Sequence, residues 1–167
     1  MPPPDWISRP LAAGEKEISR LMFGDAIEPS CVRILREKAV FFQPRNVTMT
    51  PDGNIWLHPA GSIANSPHAA DFSKASLDIR AHFVHELTHV YQRQNGLNLI
   101  LEKTLMFFRH GPLGGYAYEI IPGKPFSSYN IEQQACIVAD HYIHLCKEDS
   151  ETARSRHFPK PSRAGIL

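Results

Sequence analysis

The run His85-Glu86-Leu87-Thr88-His89 holds the residue types of a metal-assisted hydrolytic centre at the spacing such a centre needs. Residues four apart on an α-helix leave the same face, so the imidazoles of His85 and His89 can bind one tetrahedral zinc ion at about 2.0–2.1 Å. Glu86 projects beside them, too far round to be the obvious third ligand. It is well placed to act as general base, accepting a proton from a water that the metal activates. The plainer reading is a solvated His/Glu surface on an amphipathic helix, since a chain with nine histidines can produce the bare pattern by chance. Context argues against it. At a step of about 100° per residue, Phe83, Val84, Leu87, Val90 and Tyr91 fall on one apolar face, and Asp78, His82, His85, Glu86 and His89 fall on the opposite sector.

A site built on two histidines needs a third protein ligand, and Glu132, Asp140, His141 and His144 follow in the chain. Around a second helix with the same step of about 100°, Ala135, Cys136, Ala139 and Ile143 share the sector of Glu132. Such a small-residue face lets the second helix pack close to the first, with Glu132 at its N-terminal end reaching the metal. His141 points the opposite way, and Asp140 and His144 lie roughly 80–120° off. Geometry therefore favours Glu132 over the alternative of a helix-start carboxylate facing the macrodipole. His82 and Asp78 either orient a ligand imidazole or form a polar rim. Tyr116, Tyr118 and Tyr129 are candidate donors to a tetrahedral oxyanion or packing aromatics. His58, at a strand end before Pro59, reads as structural. His110 and His157 have no supporting pattern.

The elements that must position these groups follow from local signals. Residues 1–12 read as an irregular arm, 13–23 as a short amphipathic helix ended near Gly24, and 31–35 as a strand. The β-rich runs 46–50 and 54–58 flank Pro51-Asp52-Gly53, strong turn chemistry, which predicts a hairpin. Residues 59–72 read as a loop. The metal-site helix spans 76–95, with Ser76 as its cap, Asp78 in its first turn and Asn95-Gly96 closing it. The apolar stretch 97–109 is partly helical and 110–129 is a Gly/Pro-rich loop. A second strong helix runs 130–146, its Asn130 and Gln133 forming a capping box. From residue 150 a basic, weakly patterned tail follows. The catalytic domain is thus 13–149, between the arm and the tail 150–167.

His-Glu-x-x-His with the later Glu132-Gln133-Gln134-Ala135 resembles the gluzincin branch of the zincin metallopeptidases. Several stretches are also similar to the Vgr-related proteins of proteobacteria and to zincin-like domains of Rhs and Vgr proteins of type VI secretion. They are Phe23 to Ile27, Phe42 to Met49, Ile55 to Pro59, His85 to Gln92 and Ile131 to Ala135, and the resemblance covers roughly residues 8–146. It implies an α+β zincin-like domain, a small twisted sheet with a hairpin packed on two metal-site helices. It further implies zinc bound by His85, His89 and Glu132, with Glu86 as base. A peptide or protein would be the substrate and a secretion apparatus a partner.

The rest of the sequence sets bounds. One domain fits 167 residues, and a formal net charge of +1 gives no reason to expect nucleic acid. No run is long and apolar enough to span a bilayer. The N-terminal Met-Pro-Pro-Pro-Asp-Trp lacks the pattern of a cleavable signal, so the expected location is the cytoplasm, or outside it by export without a cleaved signal peptide. Cys31, Cys136 and Cys146 lack metal-ligand spacing and read as buried thiols kept reduced. Two rivals to a metallopeptidase stand: a non-catalytic adaptor module of a secretion apparatus with structural zinc, and a zinc amidase acting on cell-wall peptides.

Overall fold

The computed structural model describes residues 6–111 and 115–154. Within them the fold is α+β, a three-stranded sheet on a helical layer. Strand β1 (Ser8–Pro10) pairs antiparallel with β2 (Arg33–Leu35), with Arg9 opposite Ile34. Strand β3 (Ile55–Trp56) pairs parallel with β2, Ile34 opposite Ile55. Helix α1 (Ala13–Phe23) lies between β1 and β2 in the chain, and α2 (Leu77–Gln94), α3 (Leu99–His110) and α4 (Ile131–Arg154) follow. Val32, Ile34, Ile55 and Leu57 from the sheet region join Phe83, Val84, Leu87 and Val90 of α2 in one core. Each such side chain contributes about 1.5–3 kcal/mol on burial. The apolar face read from the sequence is the one the sheet covers; Tyr91, at its margin, is half-buried.

Five expectations change. Residues 8–10, expected to be irregular, form an edge strand, because β2, over twenty residues away, supplies partners that a Ser-Arg-Pro run does not announce. The hairpin contracts to a single antiparallel bridge, Met49 with Trp56, across the turn at Gly53 (φ +91°). The Gln43 side chain donates to the Val47 carbonyl at 2.7 Å, an acceptor that a longer ladder would use, and also to the Trp56 carbonyl at 3.2 Å, which the bridge already engages. Helix α4 continues to Arg154, past the expected start of the basic tail at 150; residues 155–167 lie outside the described range. The three thiols are free but not buried: Cys31 sits exposed in a surface 3-10 turn, and Cys136 and Cys146 are half-buried. Ser76 takes the N-cap position of α2 without a side-chain cap bond. Among the described residues, no helix is long and apolar enough to cross a membrane.

A buried ion pair fastens the N-terminal half. Glu15, fully buried, accepts two hydrogen bonds of 2.7 Å from Arg9. It also takes the backbone N–H of Ala12 at 2.7 Å and of Phe72 at 2.8 Å. Arg9 in turn donates to the Ala69 carbonyl at 3.0 Å. One carboxylate thus ties β1, the start of α1 and the segment that leads into α2. Close by, Gly14 has no room for a Cβ, which would fall 2.2 Å from Ser73 Oγ. Removing one member of a buried pair strands the other charge, so Glu15→Ala should destabilise the fold by about 3–5 kcal/mol. Urea unfolding followed by circular dichroism measures this, and a loss under about 1 kcal/mol would show that the pair is incidental.

Candidate metal centre

Helix α4 packs along α2, and this pairing assembles the site. On α4, Ile131, Glu132, Ala135, Val138 and Tyr142 are buried at helical spacing. The small Ala135, one turn beyond Glu132, allows the close approach that the sequence implied. Asn130 caps the helix: its Oδ1 accepts from the N–H groups of Glu132 and Gln133 at 3.0 and 2.9 Å, and its own N–H donates to Gln133 Oε1 at 3.2 Å. The same two side chains hold the preceding loop, through the carbonyls of Gly115 and Ala117, at 3.1 and 2.8 Å. That loop brings Tyr116 and Tyr118 to the cleft wall.

His85, His89 and Glu132 meet at one point and form a group able to hold a metal ion. Glu132 Oε2 lies 3.2 Å from His85 Nε2 and 3.3 Å from His89 Nε2. Two donors each about 2.0–2.1 Å from a tetrahedral ion lie roughly 3.3 Å apart, so the observed spacing fits the edges of such a coordination shell. The tautomer of His89 follows from its neighbour Gln92. The Gln92 amide nitrogen donates to the Ile131 carbonyl and to Gln134 Oε1, both at 3.0 Å, which leaves Gln92 Oε1 to face His89 Nδ1 at 2.9 Å. His89 therefore carries its proton on Nδ1 and turns the lone pair of Nε2 toward Glu132. His85 Nδ1 faces Cys136 Sγ at 3.9 Å. Lys103 of α3 places Nζ 3.0 Å from Glu132 Oε1, an ion pair without good hydrogen-bond alignment, so Oε2 remains directed at the histidines.

Glu86, 4% exposed, stands beside this group and lines the same cleft. Its Oε2 accepts a hydrogen bond of 2.6 Å from Thr50, and its Oε1 lies 3.9 Å from His82 Nε2, itself 2.9 Å from Thr48 Oγ1. Burial disfavours the charge on Glu86, but His89, His82, His85 and the Thr50 hydroxyl outweigh it and hold the carboxyl below its usual range. Glu132 is lowered in the same way, against its burial, by His85, His89 and Lys103. Burial also opposes a charge on His85, yet Cys136, Glu132 and Glu86 push it up to about 10. The two buried carboxylates thus draw positive charge to this point, whether proton or cation. The cleft above is open to solvent and about 970 Å³ in volume.

Among the described residues no other sequence candidate joins the ligand group, although His82, Tyr116, Tyr118 and Asp140 line the same cleft. Asp140 accepts a hydrogen bond from the Tyr118 hydroxyl, and His141 and His144 line a separate hollow. Asp78 is exposed. The Tyr129 hydroxyl is used within its loop, by Ile121 N–H and the Glu119 carbonyl, at 3.1 and 2.9 Å. His58 is buried and accepts from Ala60 N–H at 3.0 Å, a structural role. Sequence reasoning missed Gln92, Lys103, Thr48 and Thr50. Gln92 was legible in principle, three residues beyond His89 on the same helix. Thr48 and Thr50 carried only the period-two alternation of an extended segment.

No family model matches the chain. It is 38% identical over 160 residues, 95% of its length, to the type VI secretion system spike protein VgrG2b of Pseudomonas aeruginosa. The solved effector domain of that protein superposes with a TM-score of 0.74 at 36% identity, covering 89% of this chain and 80% of that one. The chain belongs to the family of the VgrG2b effector domain. It spans about 15% of the length of the whole spike protein, so the match concerns the effector portion. In that relative, the matching domain belongs to a type VI secretion spike protein.

Equilibrium competition with a fluorescent chelator tests the ligand set. Glu132→Ala should weaken metal binding by far more than the 10–100-fold usual for loss of an orienting partner, and Asp140→Ala should leave it unchanged. Equal affinity in the two variants would remove Glu132 from the set. Gln92→Leu, which cannot fix the His89 tautomer, should fall in the range of about 10–100-fold.

Proposed function

We propose that this chain is a zinc-dependent metallopeptidase, delivered as an effector by a type VI secretion apparatus. The observation that carries the reading is the coordination-edge spacing of His85, His89 and Glu132 beside an ionised Glu86, all opening on one cleft. Two histidines and one carboxylate are the donor set of a catalytic zinc site, and such a site keeps an open position where a structural one is closed. The open cleft favours catalysis over a purely structural ion. When bound, zinc supplies the Lewis acidity that makes a water nucleophilic at neutral pH and polarises a carbonyl.

The chain's own residues supply the remainder. Glu86 takes the proton of the attacking water and passes it to the leaving amine, a role that needs the carboxylate form at the start. Thr50 fixes one Glu86 oxygen and leaves the other toward His82. Tyr116 lines the cleft, and burial and Glu132 keep its phenol protonated, which suits a hydrogen-bond donor to the oxyanion. The secretion role rests on the likeness to the VgrG2b effector domain, which the chain covers across most of its length.

Metal analysis of the purified protein should find about one zinc per chain. Glu86→Gln keeps shape and polarity but cannot accept the proton, so it should retain zinc while peptide hydrolysis falls by at least about 100-fold. Hydrolysis near the wild-type rate in Glu86→Gln would falsify the general-base role.

A further inference from the structure

Beside the metal cleft lies a second hollow of about 730 Å³ with almost wholly apolar walls. Val40, Phe42, Met49 and Trp56 line it together with Leu99 and Ile100 of α3. Phe42 is 68% exposed and Ile100 63% exposed, so two large apolar side chains stand in water. Lone exposed hydrophobes need no explanation, but several around one concavity mark a binding groove. Met49 and Lys103 line both hollows, and Lys103 Nζ is 3.0 Å from the metal-site carboxylate of Glu132. The groove therefore begins one side chain away from the metal centre. An extended peptide advances about 3.3 Å per residue, so a residue flanking a bond held at that centre reaches it.

We propose that this groove is a specificity subsite, which receives a bulky apolar side chain of the substrate beside the scissile bond. The inference rests on the metallopeptidase reading and names its substrate class: peptides with Phe, Leu or Met next to the cleaved bond. Continuity with the cleft selects a substrate side chain over a second copy of the chain or a lipid surface. The polar side chains that line it are already engaged: Asp52 with the Trp56 indole N–H at 2.9 Å, Lys103 with Glu132, and the Thr50 and Thr104 hydroxyls with Glu86 and the Ile100 carbonyl. The groove has little to offer a charged side chain.

Two measurements separate the subsite from the activity. In the first, the zinc-loaded protein digests a mixed peptide library. Cleavage should concentrate beside Phe, Leu and Met. Ile100→Glu, at an exposed position, should lower kcat/KM for those peptides by about 10–100-fold and leave slow cleavage of Gly/Ser-flanked peptides unchanged. Phe42→Ser, on a different segment, should do the same, so misfolding of one variant does not decide the matter. In the second, Trp6→Phe leaves Trp56 as the sole tryptophan. Its emission in the Glu86→Gln background should respond to a Phe-containing peptide and not to a Gly/Ser peptide. Cleavage without apolar preference would overturn the subsite and leave the peptidase standing. A Trp56 response to Phe peptides without any cleavage would keep the groove as a binding site and overturn the peptidase. A response to phosphatidylglycerol vesicles, or to protein concentration, in place of peptide would assign the groove to another occupant.

Discussion

The fold turns on the meeting of one carboxylate oxygen with two imidazole nitrogens. Glu132 Oε2 can stand 3.2 and 3.3 Å from His85 and His89 only if α4 runs close along α2. That closeness demands a small residue, and Ala135 is fully buried one turn beyond the carboxylate. It also demands that α4 begin at one definite residue, which the Asn130–Gln133 cap provides. Gln92 closes the arrangement, since one amide orients His89 and pins the first turn of α4 to α2. Packing and ligand geometry here are a single constraint satisfied by the same few side chains.

Burying Glu15, Glu86 and Glu132 in a small domain is costly unless each charge is answered. Glu15 is answered by a guanidinium and two backbone N–H groups, which makes it a fastener with no chemistry left to perform. Glu132 is answered by two imidazoles and an ammonium group, and the convergence favours a cation. Glu86 is the least fully engaged, with one hydroxyl on one oxygen and a distant imidazole near the other. Of the three, it alone keeps an oxygen available toward an open cleft. What each has left over separates Glu15, wholly used in holding the fold, from Glu86, whose remaining oxygen the proposed chemistry would use.

The described part of the domain is held together by a few strong ties. The core is small, its strands are two or three residues long, and an ion pair ties the first strand down. An ion held between α2 and α4 would add a cross-link where a domain of this size has few others, because metal bound only by the folded state stabilises it.

The sequence by itself determined the parts that depend on helical periodicity. His85, Glu86 and His89 are local neighbours on one helix, so their common face follows from a repeat of about 3.6 residues. The choice of Glu132 over Asp140, His141 and His144 followed from the same arithmetic on α4, and the structure brings Glu132, not the others, to the two histidines. Only the tertiary structure decided what depends on partners distant in the chain. Ser8–Pro10 becomes a strand because β2 is beside it, and the hairpin shrinks where Gln43 claims the Val47 carbonyl. Lys103, Thr48 and Thr50 acquire their places from how α3 and an extended segment fall against α2. Periodicity fixes which way a side chain leaves its own helix. What it meets there is set by backbone pairing and packing summed over the whole chain, and no short window of sequence contains that sum.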